Sequence, residues 1–180
     1  MAVLDERGAA ATARSLAPPL DYPAAADIYR TTSGLTVMGD ATSWFMCHNG
    51  FRPGLWSRLF PQLDPLSVQG MVDSWQTMLR EYPAPPGYPR YSGYPAFGFV
   101  AEYLPIAERD GYFWVVDIRP GDRFNQVLAF DKVDADDNAV SWPSAGHLLV
   151  DLTTAIETGT EFDGWLPSVS DGELTWSLSR

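Results

Sequence analysis

The sequence predicts an α+β fold, one domain in which a mostly antiparallel β-sheet is packed by several α-helices. Three observations point there. Residues 105–144, PIAERDGYFWVVDIRPGDRFNQVLAFDKVDADDNAVSWPS, break into short apolar segments separated by acidic, glycine-bearing turns. The segments on either side follow the 3.6-residue period of amphipathic helices instead. And 180 residues, 46% of them hydrophobic, fall within the size of one domain and can fill one core.

Taken in order, residues 1–17 carry small side chains and scattered charge and read as a frayed lead-in. Asp21 is placed to cap a helix with Pro23 in its first turn and Ala24–Tyr29 as its body. The lead-in with this short helix spans 1–35, and the main domain spans 36–180. A second helix starts at Asp40, runs through Trp44, Phe45 and Cys47, and ends at Asn49-Gly50, two residues that tolerate left-handed backbone. After Ser67, the residues Val68, Met71, Val72, Trp75, Met78 and Leu79 form one apolar stripe, and Pro83 stops that helix.

Tyr82 to Pro95, YPAPPGYPRYSGYP, holds five prolines and two glycines, which forbid helix interior and central strand alike. Its tyrosines either form a contact surface of amphipathic rings or pack back on the domain. The sheet follows from about 97 to 142. Asp110-Gly111 supplies a turn that accepts positive φ. Phe113–Ile118 and Gln126–Phe130 are rich in the β-branched and aromatic types that suit a pleated surface. Asp117 interrupts the first of these runs, so its carboxylate calls for solvent, a cap, or a donor such as Arg119 or Arg123. Ser144 opens the last helix, with Leu148, Leu149, Leu152, Ala155 and Ile156 on one face and Gly159 as terminator. Glu173–Leu178 alternates polar and apolar residues and reads as a final strand of the same sheet. Trp44, Trp75, Trp114 and Trp142 are the core candidates, the last with its N–H expected on a carbonyl.

Composition narrows the function. A net charge of −11 disfavours nucleic acid, whose phosphates require Lys and Arg, and Lys132 is the chain's single lysine. Residues 106–180 carry fourteen acids against five bases. That third is either a solvated acidic face or a surface that attracts a basic protein partner. A single cysteine, Cys47, cannot build an intramolecular disulfide framework. The first residues lack the basic start and apolar core of a secretory signal, and no apolar run approaches the ~18 residues of a membrane span. A soluble cytoplasmic protein is expected, with no membrane association.

Searching for chemistry excludes more than it finds. No HExxH, CxxC, GxGxxG, GxSxG or P-loop pattern occurs. Cys47 and His48 are neighbours that a helix would turn about 100° apart, which favours a buried thiol and a capping histidine over a nucleophile–base pair. His147, in the first turn of the last helix, is expected at the surface or at its boundary. Asp134, Asp136 and Asp137 suggest a calcium loop, but counting from Asp134 the sixth residue is Ala139 and the twelfth Ala145, where an EF-hand needs Gly and Glu. They are expected at an exposed hairpin tip. No catalytic, cofactor-binding or metal-binding residues are expected.

In its ordered words the chain resembles the SMI1/KNR4 family, or SUKH superfamily, which is named from a yeast cell-wall regulator and includes bacterial immunity proteins. Those words are Trp44-Phe45 followed by His48-Asn49-Gly50, Leu59-Phe60-Pro61, Leu66-Ser67 with Trp75, Leu104-Pro105-Ile106-Ala107, Asp110-Gly111, Val116 to Gly121, Gln126-Val127 with Phe130-Asp131, and Pro143-Ser144 with a helix ending at Gly159. They cover roughly residues 40–178. Tyr112 departs from the asparagine that family members often carry after the turn glycine. The resemblance implies a non-enzymatic protein-binding domain, an immunity protein that neutralises a cognate toxin by direct binding; a regulatory scaffold for an endogenous partner is the alternative. On that reading, Tyr88, Arg90, Tyr91 and Tyr94 of the tyrosine-rich segment and Asp134, Asp136 and Asp137 of the acidic tip are the candidate partner-binding residues, and a basic toxin domain is the candidate partner.

Overall fold

A run that is apolar at every position, such as Phe113–Val116, needs cover on both of its faces, and the fold supplies it. The computed structural model describes residues 2–34, 39–55, 58–135 and 140–180. In it, strands β1 (Asp64–Pro65), β2 (Tyr103–Arg109), β3 (Tyr112–Asp117), β4 (Val127–Asp131) and β5 (Val140–Trp142) form one antiparallel sheet in sequence order. β3 lies at its centre, and Phe113 through Asp117 are all buried. Alternation along β3 sends its aromatic residues to opposite sides. Phe113 meets Phe130 and Phe99. Trp114 instead packs edge-on against Phe60 at 4.7 Å and Trp142 at 4.9 Å, and Phe60 carries the stack on to Trp44. All four tryptophans expected in the core are there.

The helices are α1 (Ala2–Glu6), α2 (Ala10–Ser15), α3 (Tyr22–Ser33), α4 (Ala41–Cys47), α5 (Val68–Glu81) and α6 (Ala145–Thr158). Three of them begin where the sequence places their caps. Asp21 accepts from the Ala24 N–H, Ser67 from Gly70 and Ser144 from His147. Gly34 and Gly159 close α3 and α6 in left-handed conformation. Asp40 precedes α4 but does not cap it. Its carboxylate accepts from the Gly146 N–H at 3.1 Å, tying α4 to the first turn of α6. Asn49 Oδ1 likewise accepts from Val68 N–H at 2.8 Å, and a Cβ on Gly50 would lie 2.6 Å from the Ser67 nitrogen. His48-Asn49-Gly50 and Leu66-Ser67 are thus two sides of one contact that joins the end of α4 to the start of α5.

Three expectations need correction. Residues 1–17 are not frayed: Leu4, Ala9, Ala13 and Leu16 are buried in the common core. Small residues let α1 and α2 lie close, which low polarity alone does not reveal. The last strand does not join the main sheet. β7 (Glu173–Leu178) pairs with β6 (Trp165–Ser170), a strand the sequence reading missed, and that hairpin docks on α2 through Ala11 N–H to Gly172 O and Leu174 N–H to Thr12 Oγ1, each 2.8 Å. Trp142 does reach a partner, but its Nε1–H donates to the Asp151 carboxylate at 3.0 Å and not to a carbonyl.

Candidate functional site

At the β3–β4 end of the sheet an ion pair lies wholly out of water. Asp117 and Arg119 side chains have zero exposure and meet at 2.8 Å. Arg119 Nε donates to Asp117 Oδ1 at 3.0 Å and Nη2 to Oδ2 at 2.8 Å, while Gln126 Nε2 donates to the same Oδ2 at 3.2 Å. Arg119 Nη2 also reaches Tyr103 Oη at 3.0 Å, with the guanidinium 5.0 Å from the centre of that ring. Of the two donors the sequence offered to Asp117, Arg119 is the one used. A buried pair holds only if its remaining hydrogen-bonding capacity is met, and here part of it is met by another segment. Nη1 donates to the carbonyl of Pro89 at 2.9 Å.

That bond fastens the tyrosine-rich segment from beneath. The segment is closed at its neck, where Ala84 N–H donates to Phe99 O and Phe99 N–H to Tyr82 O. No room is left there for a side chain on Gly98, whose Cβ would sit 2.6 Å from the Ala84 Cα. Near its far end, Ser92 N–H donates to Pro120 O at 2.9 Å, and Ser92 Oγ accepts from Arg123 N–H at 3.2 Å. The backbone is therefore held at both ends and in the middle. Tyr88 is half-buried against the core; its hydroxyl takes a 2.8 Å bond from Arg90, whose guanidinium also lies 4.5 Å from the centre of its ring. Burial, with the Glu102 carboxylate adding to it, pushes the Tyr88 phenol above its ordinary pKa.

What the loop does not bury is the more telling part. Tyr91, Tyr94 and Phe97 are 62%, 61% and 65% exposed, and Phe124 stands exposed on the adjoining β3–β4 connection. A surface depression of about 570 Å³ runs between Tyr91, Tyr94, Gly121 and Arg123. Phe97 has φ of 59°, a left-handed conformation that costs a bulky residue on the order of 1–3 kcal/mol. A strained backbone that presents an aromatic ring to water is a feature that folding by itself does not require.

The candidate residues do not form one patch. Tyr88, Arg90, Tyr91 and Tyr94 gather at the β3–β4 end, beside Pro120. Asp134 is exposed in the connection after β4, where Lys132 N–H bonds Gly111 O, at the opposite end of the sheet. β3 separates the two ends by roughly 17 Å of extended chain. Asp136 and Asp137 lie outside the described residues. Phe97 and Phe124 were missed by the sequence reading, and only the positions of their neighbours reveal them.

Cys47 also differs from expectation, for it is exposed and not a buried thiol. His48 does sit at the C-terminal cap of α4 and is buried, with its ring edge-on to Trp44 at 4.7 Å. Burial lowers its pKa to about 4, so at neutral pH it is an uncharged imidazole. Its Nε2 has no hydrogen-bond partner, Cys47 included. His147 is exposed, as expected. Among the described residues no group of His, Cys, Asp and Glu is arranged to hold a metal ion, and no helix is long and apolar enough to cross a membrane. In comparison with known proteins, the sequence matches no family model and no curated protein.

Proposed function

We propose that this protein is a non-enzymatic binding domain of the SMI1/KNR4 type, a cytoplasmic immunity protein that neutralises a toxin by direct contact through the tyrosine-rich loop. One observation carries the reading: Tyr91, Tyr94 and Phe97 stand exposed on a backbone that the buried Arg119 already holds in place. Binding through such a surface orders little on association, and aromatic anchors supply most of the contact energy in known interfaces. The acidic last third adds long-range attraction for a basic partner, which acts mainly on the association rate. Asp134, far from the loop, belongs to that steering and not to the contact itself.

Co-expression with the product of a neighbouring toxic gene tests this. Protection of the cells, and its loss in a Tyr91→Ala/Tyr94→Ala variant that still folds, is the expected result. If no adjacent reading frame is toxic alone and pull-down recovers a host protein instead, the partner is endogenous and the scaffold reading replaces immunity.

A further inference from the structure

Arg90, Arg119 and Arg123 all stand at the loop end of the sheet, but the fold does not use them alike. Arg119 is consumed by Asp117, Tyr103 and the carbonyl of Pro89. Arg90 lies on the ring and hydroxyl of Tyr88. Arg123 is exposed and lines the depression beside Tyr91 and Tyr94. Among the described residues no carboxylate lies within ion-pair distance of it. Its placement is nonetheless fixed. Ser92, itself buried, accepts from the Arg123 N–H at 3.2 Å and donates its own N–H to Pro120 O at 2.9 Å. Gly121 packs so close that a Cβ there would lie 2.8 Å from Ser92 Oγ. Gly93 is the bed for the arginine stem: with φ of 90°, its Cβ would lie 3.3 Å from Arg123 Cδ. The guanidinium is thus held beside rings that face water, with its charge unspent.

We propose, resting on the loop as the contact surface, that the depression receives a glutamate or aspartate side chain of the partner protein, bound by the Arg123 guanidinium between Tyr91 and Tyr94. The planar fork of Arg matches a carboxylate, and the phenols beside it are further donors. Arg and Tyr carry contact energy at interface centres, whereas Asp is depleted there, so Arg123 and not its neighbour Asp122 selects the guest. A chain-terminal carboxylate is captured by a nest of free backbone N–H groups, and here those of Ser92, Arg123 and Phe124 are already bonded within the protein. A basic partner drawn in by the acidic last third therefore carries an acidic residue at the centre of its contact face.

The ¹⁵N-labelled full chain is titrated with acetyl-Phe-Glu-Phe-amide and with its Gln and Lys counterparts, followed at Arg123 Nε–H and at the amides of Tyr91 and Tyr94. The expected result is a saturable shift with millimolar Glu peptide and about fivefold weaker binding of the Gln peptide, the size of a well-made exposed ion pair. That difference is expected to vanish in Arg123→Gln and in about 1 M salt. Asp122→Asn is expected to tighten the Glu peptide by up to about threefold, because a like charge is removed. Equal binding of the Glu and Gln peptides, no saturable shift with the Glu peptide, or a Glu preference that survives Arg123→Gln overturns the carboxylate site. Preference for the Lys peptide, lost in Asp122→Asn, overturns it in favour of a cation. Contact through the loop is judged apart from this: peptides that bind whatever their charge, but not to Tyr91→Ala/Tyr94→Ala, leave the loop as the contact and remove only the role of Arg123.

Discussion

Arg119 and His48 are both buried ionisable side chains, and their surroundings treat them in opposite ways. Arg119 has a carboxylate, a phenol oxygen and a backbone carbonyl around its guanidinium, so it forms a buried ion pair and organises what it touches. His48 has Trp44 and an apolar cavity around it, and it escapes the cost of burial by giving up its proton. A guanidinium cannot take that route at any accessible pH. The difference shows how a small acidic domain uses buried polarity. One group fixes a surface loop for contact, whereas the other leaves a hydrogen-bonding atom unused.

The largest expected effect comes from breaking the first arrangement. Arg119→Met leaves Asp117 buried without its partner and should destabilise the fold by about 3–5 kcal/mol, read as a fall in the urea midpoint. Adding Asp117→Asn should recover part of that loss, because the uncompensated charge is then gone. A double variant no more stable than the single one would mean that the ion pair is not what the site depends on.

The second group gives a pH signature with a definite sign. His48 titrates near 6.5 when unfolded and near 4 when folded, so between those values the unfolded chain binds the extra proton. Stability is unaffected by this group above pH 6.5 and falls as the pH drops toward 4, by roughly 3 kcal/mol in all. His48→Leu should lack that component, so the variant gains on the unaltered protein between pH 7.5 and 4.5 in urea unfolding. Parallel pH profiles would show that His48 is not held neutral by burial.

Smaller effects sharpen the role of the loop. Ser92→Ala removes the acceptor for Arg123 N–H and should cost about 1 kcal/mol, with faster amide hydrogen exchange confined to residues 88–97. Tyr91→Ala/Tyr94→Ala should change stability by less than about 0.5 kcal/mol, because both rings lie in water. Partner affinity should nonetheless fall at least about tenfold. A stability loss of the size seen at Arg119 would mean that the two rings serve the fold and not a contact.

Local chemistry explains where the sequence reading succeeded. Ser67, its cap on Gly70 and the stripe from Val68 to Met78 are interactions within one helix, so spacing alone exposes them. Asp110-Gly111 dictates its turn through backbone conformation, with φ of 56° and 88°. The β6–β7 hairpin carried a similar signal in Asp171-Gly172, with φ of 52° and 79°, but Pro167 and the serines of β6 hid the strand before it. Nothing near Leu4 marks it as core, because much of what surrounds it comes from distant parts of the chain, His48 and Leu59 on one side and Leu152 and Ile156 of α6 on another.

For the candidate site the division is similar. The sequence by itself determined an α+β chain, the Asp21, Ser67 and Ser144 caps and the central strands, all set by neighbours within a few residues, and it narrowed the surroundings of Asp117 to solvent, a cap, Arg119 or Arg123. Tertiary structure alone decided that Arg119 would reach the carbonyl of Pro89, that Tyr91, Tyr94 and Phe97 would face water, and that Asp134 would lie at the other end of the sheet. It also decided that the β6–β7 hairpin would leave the main sheet for α2 and that a cavity would open beside His48. These outcomes depend on contacts between residues 30 to 160 positions apart, where packing and the need to satisfy buried polar groups choose among many conformations that local preference leaves equal.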